Sequence, residues 1–214
     1  MHIPDGYLSP ATVAVSYAVA VPLWVYGFRR LKSVLNEETL PRIGAVTALS
    51  FVIMMFNIPI PGGTSGHAVG AALIAMLFGP WVAGVAVTLV LLIQAVVFAD
   101  GGLSALAVNS LAMGYLGGFV GYGIFRTLRR YRWAPFAAGW GSIVVSSLVI
   151  ALVLGIQPLF WSVAGKPLYF PFGLAITIPA LVGEHMLVFG VVEGIFTQLA
   201  YRFLSEEKRM EVRA

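Results

Sequence analysis

Long apolar runs alternate with short polar clusters along the whole chain. Runs at 9–31, 41–58, 103–125, 133–156 and 171–203 are close to the ~20 residues that a helix needs to cross a bilayer. A further apolar stretch, 67–99, is interrupted at Gly79-Pro80. It reads either as one kinked helix or as two shorter helices joined by a turn at Phe78-Gly79-Pro80-Trp81. The basic residues decide between these readings, because Lys and Arg concentrate on the inner side of a membrane protein. Two helices give seven crossings, with the N-terminus outside and the C-terminus inside. Of the 13 Lys and Arg residues, that arrangement leaves only Lys166 outside. A single helix would instead place most of them outside. The pattern therefore predicts an all-α, polytopic bundle of seven transmembrane helices.

The third helix, 67–79, is then too short. At ~1.5 Å per residue it spans ~20 Å, against a hydrocarbon thickness of ~30 Å. Its outer end must begin below the outer surface, so the preceding loop, 59–66, must dip inward. Irregular backbone at that depth is tolerated only when buried in protein or lining a cavity. This places His67 at the base of an outward-facing cavity. Small residues recur four apart (Ala14 and Ala18, Gly44 and Ala48, Gly114 and Gly118, Gly117 and Gly121, Gly190 and Gly194), as helices in close contact require. Most such pairs are expected to pack internally, with a share left to dock another membrane subunit.

Composition narrows the function classes. Hydrophobic residues make up 59% of the 214 and charged residues 10%, far below the ~25% of soluble domains. With a mean hydropathy of +0.92, a soluble enzyme is excluded. The net charge of +4 reflects membrane orientation, not nucleic-acid binding. Without Cys, neither disulfides nor thiolate metal sites are available. The opening Met-His-Ile-Pro-Asp-Gly-Tyr-Leu-Ser-Pro lacks the basic start of a cleavable leader, so Met1 is expected to be retained. A single domain, 1–214, is expected, with a metal-binding segment at 1–8, a binding loop at 59–67 and a charged cytoplasmic tail at 205–214.

The candidate chemistry lies with three histidines, His2, His67 and His185. Imidazole is a common ligand of nickel, copper and zinc. Alone, His67 reads as a capping or packing residue and His2 as a polar terminus. Together with a free α-amine, they form a donor set. The amine of Met1, the amide nitrogen of His2 and Nδ1 of its ring can close a five- and a six-membered chelate around one ion. The candidate for the fourth corner is His67. Such a planar nitrogen set favours Ni(II) or Cu(II). Glu184, His185 and Glu193 lie within the seventh helix, where charge is costly. They read as groups orienting His2 or His67, as a proton path, or as buried hydrogen bonds holding the bundle. Gln94, Asp100, Ser104 and Asn109 flank the outer loop between helices four and five. They either support the cavity or serve ordinary loop chemistry. No Walker A, GxGxxG, GxSxG or HExxH pattern is present.

The opening decapeptide, Pro-Gly-Gly-Thr-Ser-Gly-His67, Phe78-Gly-Pro-Trp81, Gln94-Ala95, Asp100-Gly-Gly102, Asn109, Gly183-Glu-His185, Phe189-Gly190 and Glu193-Gly194 together resemble the CbiM/NikM family over nearly the whole chain. These are substrate-binding membrane subunits of cobalt and nickel transporters of the energy-coupling factor (ECF) type. The resemblance implies that the N-terminus tucks into the bundle and that Met1, His2 and His67 bind the metal. Asp100, Asn109, Glu184 and His185 are candidates for supporting roles. It implies Ni(II), favoured by the Pro-Asp-Gly opening, or Co(II) as substrate, and no organic cofactor. The implied partners are a transmembrane coupling subunit, cytoplasmic ATPases and a small accessory membrane subunit, in a prokaryotic cell membrane. Two other classes remain for comparison. One is a proton-coupled secondary transporter using Glu184, His185 and Glu193. The other is an intramembrane metalloenzyme, which would need an open metal position and a nearby general base.

Overall fold

A computed structural model describes residues 1–60 and 64–211. Helix α1 (Pro10–Val34) begins at a Ser9 cap, whose Oγ accepts the Thr12 N–H at 3.2 Å, with Pro10 in the first turn. It is followed by α2 (Thr39–Met54), α3 (Ala71–Phe78) and α4 (Pro80–Val97). Next, α5 (Leu106–Asn109) runs through a π-helical stretch, Ser110–Leu116, into α6 (Gly117–Leu128). The sixth rod is α7 (Ala134–Gly155), with the short α8 (Gln157–Phe160) at its end. The seventh is α9 (Leu174–Glu184), joined through a second π-helical stretch, His185–Phe189, to α10 (Gly190–Glu211). Four helical segments are long and apolar enough to cross a membrane, and α2 is a shorter apolar helix. The chain is a multi-pass membrane protein.

The centre of the bundle is built from α3, α4, α6 and α7. Residues Ala71–Ala75 of α3 are all buried. Gly121 lets α6 approach α3, since a Cβ there would lie 2.6 Å from that of Ala72. The small residues of α6 and α10 thus serve internal packing. Ala14, Ala18, Gly44 and Ala48, on α1 and α2, face outward.

The third helix is shorter than expected. It begins at Ala71, not at His67, and its eight residues span only ~12 Å. Gly70 takes a left-handed conformation (φ 78°), and residues 67–70 run without regular structure yet fully buried. Of the expected dipping loop, Pro59 is exposed and Ser65 half-buried, and only its inner end, from Gly66 into 67–70, is buried in protein, as irregular backbone at that depth must be. Its outer part holds an antiparallel pairing of β1 (Ile58–Ile60) with β2 (Thr64–Gly66), which the apolar pattern does not announce. The turn 61–63 lies outside the described residues. A second hairpin, β3 (Ser162–Val163) with β4 (Lys166–Pro167), carries the exposed Lys166. The segment expected as a charged tail continues α10 as far as Glu211, and residues 212–214 lie outside the description.

Candidate metal centre

The first nine residues turn inward. Met1, Ile3 and Ser9 are completely buried, and His2 and Leu8 nearly so. Each part of the segment has its own anchor. The Asn109 side chain brackets Ile3, accepting its N–H and donating to its carbonyl, both at 3.1 Å. The Asp5 carboxylate accepts the N–H groups of Leu103 and Ser104 at 3.2 and 2.8 Å. The Phe170 N–H donates to Tyr7 O at 3.3 Å, and Ser9 N–H donates to Gln157 Oε1 at 3.0 Å. The terminus is thereby fixed against three separate stretches of chain.

The Met1 amine reaches Ser65 of β2, with hydrogen bonds to its carbonyl and, at 3.1 Å, its hydroxyl. Burial strips the ammonium of water and pushes its pKa down to about 4, although Asp100 opposes this. At neutral pH the amine is uncharged and keeps a lone pair. The His2 and His67 rings lie 4.4 Å apart, centroid to centroid, tilted by 44°. His2 Nδ1 is 2.9 Å from Asp100 Oδ1. Burial lowers the His2 pKa more than the Asp100 hydrogen bond raises it, so the ring is neutral and donates from Nδ1. His67 Nδ1 donates to Ala68 O at 2.9 Å, and His185 Nδ1 to Leu181 O at 2.7 Å. In all three rings Nδ1 holds the hydrogen and Nε2 the lone pair. All three Nε2 atoms are buried without a partner. An orphaned buried acceptor costs on the order of 1–3 kcal/mol, and nitrogen lone pairs facing inward are what a late first-row cation requires.

Asp100 sits at the mouth of this cluster. Burial works to raise its pKa, but the hydrogen bonds from His2 and from Asn57 Nδ2 (3.3 Å), together with their charge environment, bring it below the ordinary value. The residue before it, Ala99, adopts a left-handed backbone (φ 52°), a strain that persists only where the surroundings enforce it. A cavity of about 300 Å³ opens here, lined by His2, Asn57, Ser65 and Asp100 among others. It leads from the surface to the His2 ring.

The predicted residues fall into two groups. Met1, His2, His67, Asp100 and Asn109 are brought together. His185 lies deeper, within electrostatic reach of the Met1 amine and of His67. Glu184 is half-buried and forms no hydrogen bond to the cluster among the described residues. Its neighbour takes the inward position, because adjacent helical residues cannot share a face. Among the described residues, no three His, Asp or Glu side chains converge closely enough to hold an ion by themselves. The expected chelate through His2 Nδ1 also differs from the observed ring, which points that nitrogen at Asp100. Sequence reasoning missed Ser65 and Asn57. Only their places, in the dipping loop and at its start, could have drawn attention to them.

Comparison with known proteins agrees across the chain. The family model described as CbiM, the cobalt uptake substrate-specific transmembrane region, matches residues 2–211. The fused nickel transport protein NikMN of Rhodobacter capsulatus is 43% identical over 207 residues, covering 92% of this chain and 59% of its own length. A protein of Methanocaldococcus jannaschii named for metal transport is 38% identical over 210 residues, covering 96% of this chain and 92% of that protein. The chain spans about three fifths of the length of the fused relatives it matches. The crystal structure of a truncated transition metal transporter superimposes with a TM-score of 0.93 at 43% identity, covering 97% of this chain and 99% of the other. A likeness that runs from end to end in sequence and in backbone alike leaves one assignment: the chain belongs to the CbiM family.

Proposed function

We propose that this chain is the substrate-capturing membrane subunit of an ECF-type importer for Ni(II), or for Co(II), and that Met1, His2 and His67 are its ligands. The observation that carries this reading is the buried, uncharged amine of Met1 set among imidazoles whose Nε2 lone pairs have no other partner. The ion enters through the cavity beside Asp100. The amine and the amide of His2, which gives up its proton to water in the cavity, bind it in plane, and His67 Nε2 closes the set. His2 joins the chelate by turning about its Cβ–Cγ bond and moving its ring proton from Nδ1 to Nε2, which frees the Nδ1 lone pair for the ion. Four nitrogens in a plane favour Ni(II), and the fused nickel transport relatives support the same preference. The ATPases and the coupling subunit of the importer supply the energy. The N-terminus faces outward and the C-terminus inward in this reading, which the distribution of basic residues supports.

The deciding experiment compares the native chain with one carrying a single extra residue before Met1. Each is incubated with Ni(II) or Co(II), desalted and assayed for bound metal. The native form is expected to hold one ion and the extended form none. Equal binding by both would remove the amine from the site and overturn the proposal. The proton-coupled alternative uses Glu184, His185 and Glu193, and of these the Glu193 carboxylate is already engaged by two backbone amides. Uptake abolished by a protonophore while ATP is held constant would restore that alternative.

A further inference from the structure

One buried carboxylate is left unassigned by metal capture. Glu193 lies in the first turn of α10 and is fully buried. Its Oε2 accepts the Val69 N–H at 2.6 Å and its Oε1 accepts the Gly70 N–H at 2.8 Å. Both amides belong to the irregular stretch between His67 and α3. They lie two and three residues beyond His67, and neither has a partner within a helix. A carboxylate that accepts two such bonds fixes both the position and the direction of the segment. On the other side of His67, the Phe189 ring covers Gly66 so closely that a Cβ there would come within 1.9 Å of it. Two side chains, four residues apart on the seventh rod, therefore grip the chain immediately before and after His67. Between them the His67 ring has one fixed bond, from Nδ1 to Ala68 O.

We infer that Glu193 is a positioning residue of the metal site, acting through the Val69–Gly70 backbone to hold His67 Nε2 toward the Met1 amine. The inference rests on the proposed ligand set. Groups that orient metal ligands are worth about 10- to 100-fold in affinity. Replacing Glu193 by Gln keeps the size but exchanges one acceptor oxygen for an NH₂ that faces an N–H donor, so one of the two bonds is lost.

The test uses the full-length chain in detergent, with Ni(II) as probe. Three quantities are read: the equilibrium affinity, the Ni(II) absorption spectrum and the melting temperature without metal. For Glu193→Gln, the affinity is expected to fall about 10- to 100-fold, with a shifted nickel spectrum. Glu193→Asp, which keeps the carboxylate, should recover part of the affinity. Any variant that melts below the assay temperature is read at a lower temperature at which it stays folded, and in parallel His67→Gln is compared with His67→Gln combined with Glu193→Gln. If Glu193 acts through His67, the second change adds nothing to the loss. Unchanged affinity and spectrum in Glu193→Gln, or losses that multiply in the double variant, would overturn the inference. A wild-type chain that retains no nickel would instead overturn the ligand set itself.

Discussion

His2 faces two ways, and Asp100 decides between them. In the structure Asp100 holds Nδ1. If the ring turns on binding, Asp100 competes with the ion, and Asp100→Asn should leave nickel affinity unchanged or raise it. If instead the ring ligates through Nε2 with Asp100 behind it, the same change should weaken binding about 10- to 100-fold. Titration of the variant with Ni(II) separates the two. Proton competition follows from the same burial. An exposed histidine takes up a proton near pH ~6.5 and an α-amine near ~8. Here both groups are shifted downward, the amine to about 4. A lowered pKa means that protons compete only at more acidic pH. Metal retention should therefore persist below pH ~6.5 and fall as pH approaches the amine's value of about 4. Half-release at pH 7 or above, measured by elemental analysis after buffer exchange, would contradict this.

Between residues and bundle stand the segments that carry the ligands. The seven apolar runs were legible in the sequence because a helix in lipid must be long and apolar, and the short third run pointed to irregular backbone before it, which is buried at residues 66–70. Three features were not legible. The β1–β2 pairing is made by backbone groups in a Pro- and Gly-rich stretch without alternating polarity. The late start of the third run, at Ala71 instead of His67, goes with the Val69 N–H being held by Glu193, 124 residues away in sequence. The inward row Leu181, His185, Phe189, Glu193 and Thr197 repeats every four residues, whereas a regular helix would rotate such a row away by about 40° at each step. The π-helical stretch His185–Phe189 winds more residues into a turn through its i→i+5 bonds and keeps the row facing the loop. That stretch is why His185 points in and Glu184 does not. Gly102 illustrates how tightly the N-terminal segment is seated. A Cβ there would lie 2.3 Å from the Asp5 backbone nitrogen. Gly102→Ala should displace residues 1–5, cost about 1–3 kcal/mol by overpacking, and lower nickel retention by at least about tenfold. A variant that binds as the wild type does would show that the segment tolerates the shift.

At the scale of the whole molecule, the proposed capture site stands in a sequence without a Walker A pattern. Reconstituted alone in vesicles, it should bind nickel without accumulating it. Accumulation should appear only with the coupling subunit, the ATPases and ATP, as followed with radioactive nickel. Concentrative uptake by the chain alone would count against the importer reading. The seat of the N-terminus has one further consequence, for the order of synthesis. Residues 1–9 settle against Ser65, Asn109, Gln157 and Phe170, and the Ser65 loop is gripped in turn by Phe189 and Glu193. Residues 1–9 can therefore take their final place only after the chain as far as Glu193 has been made and inserted, so an earlier intermediate lacks the walls of the proposed site.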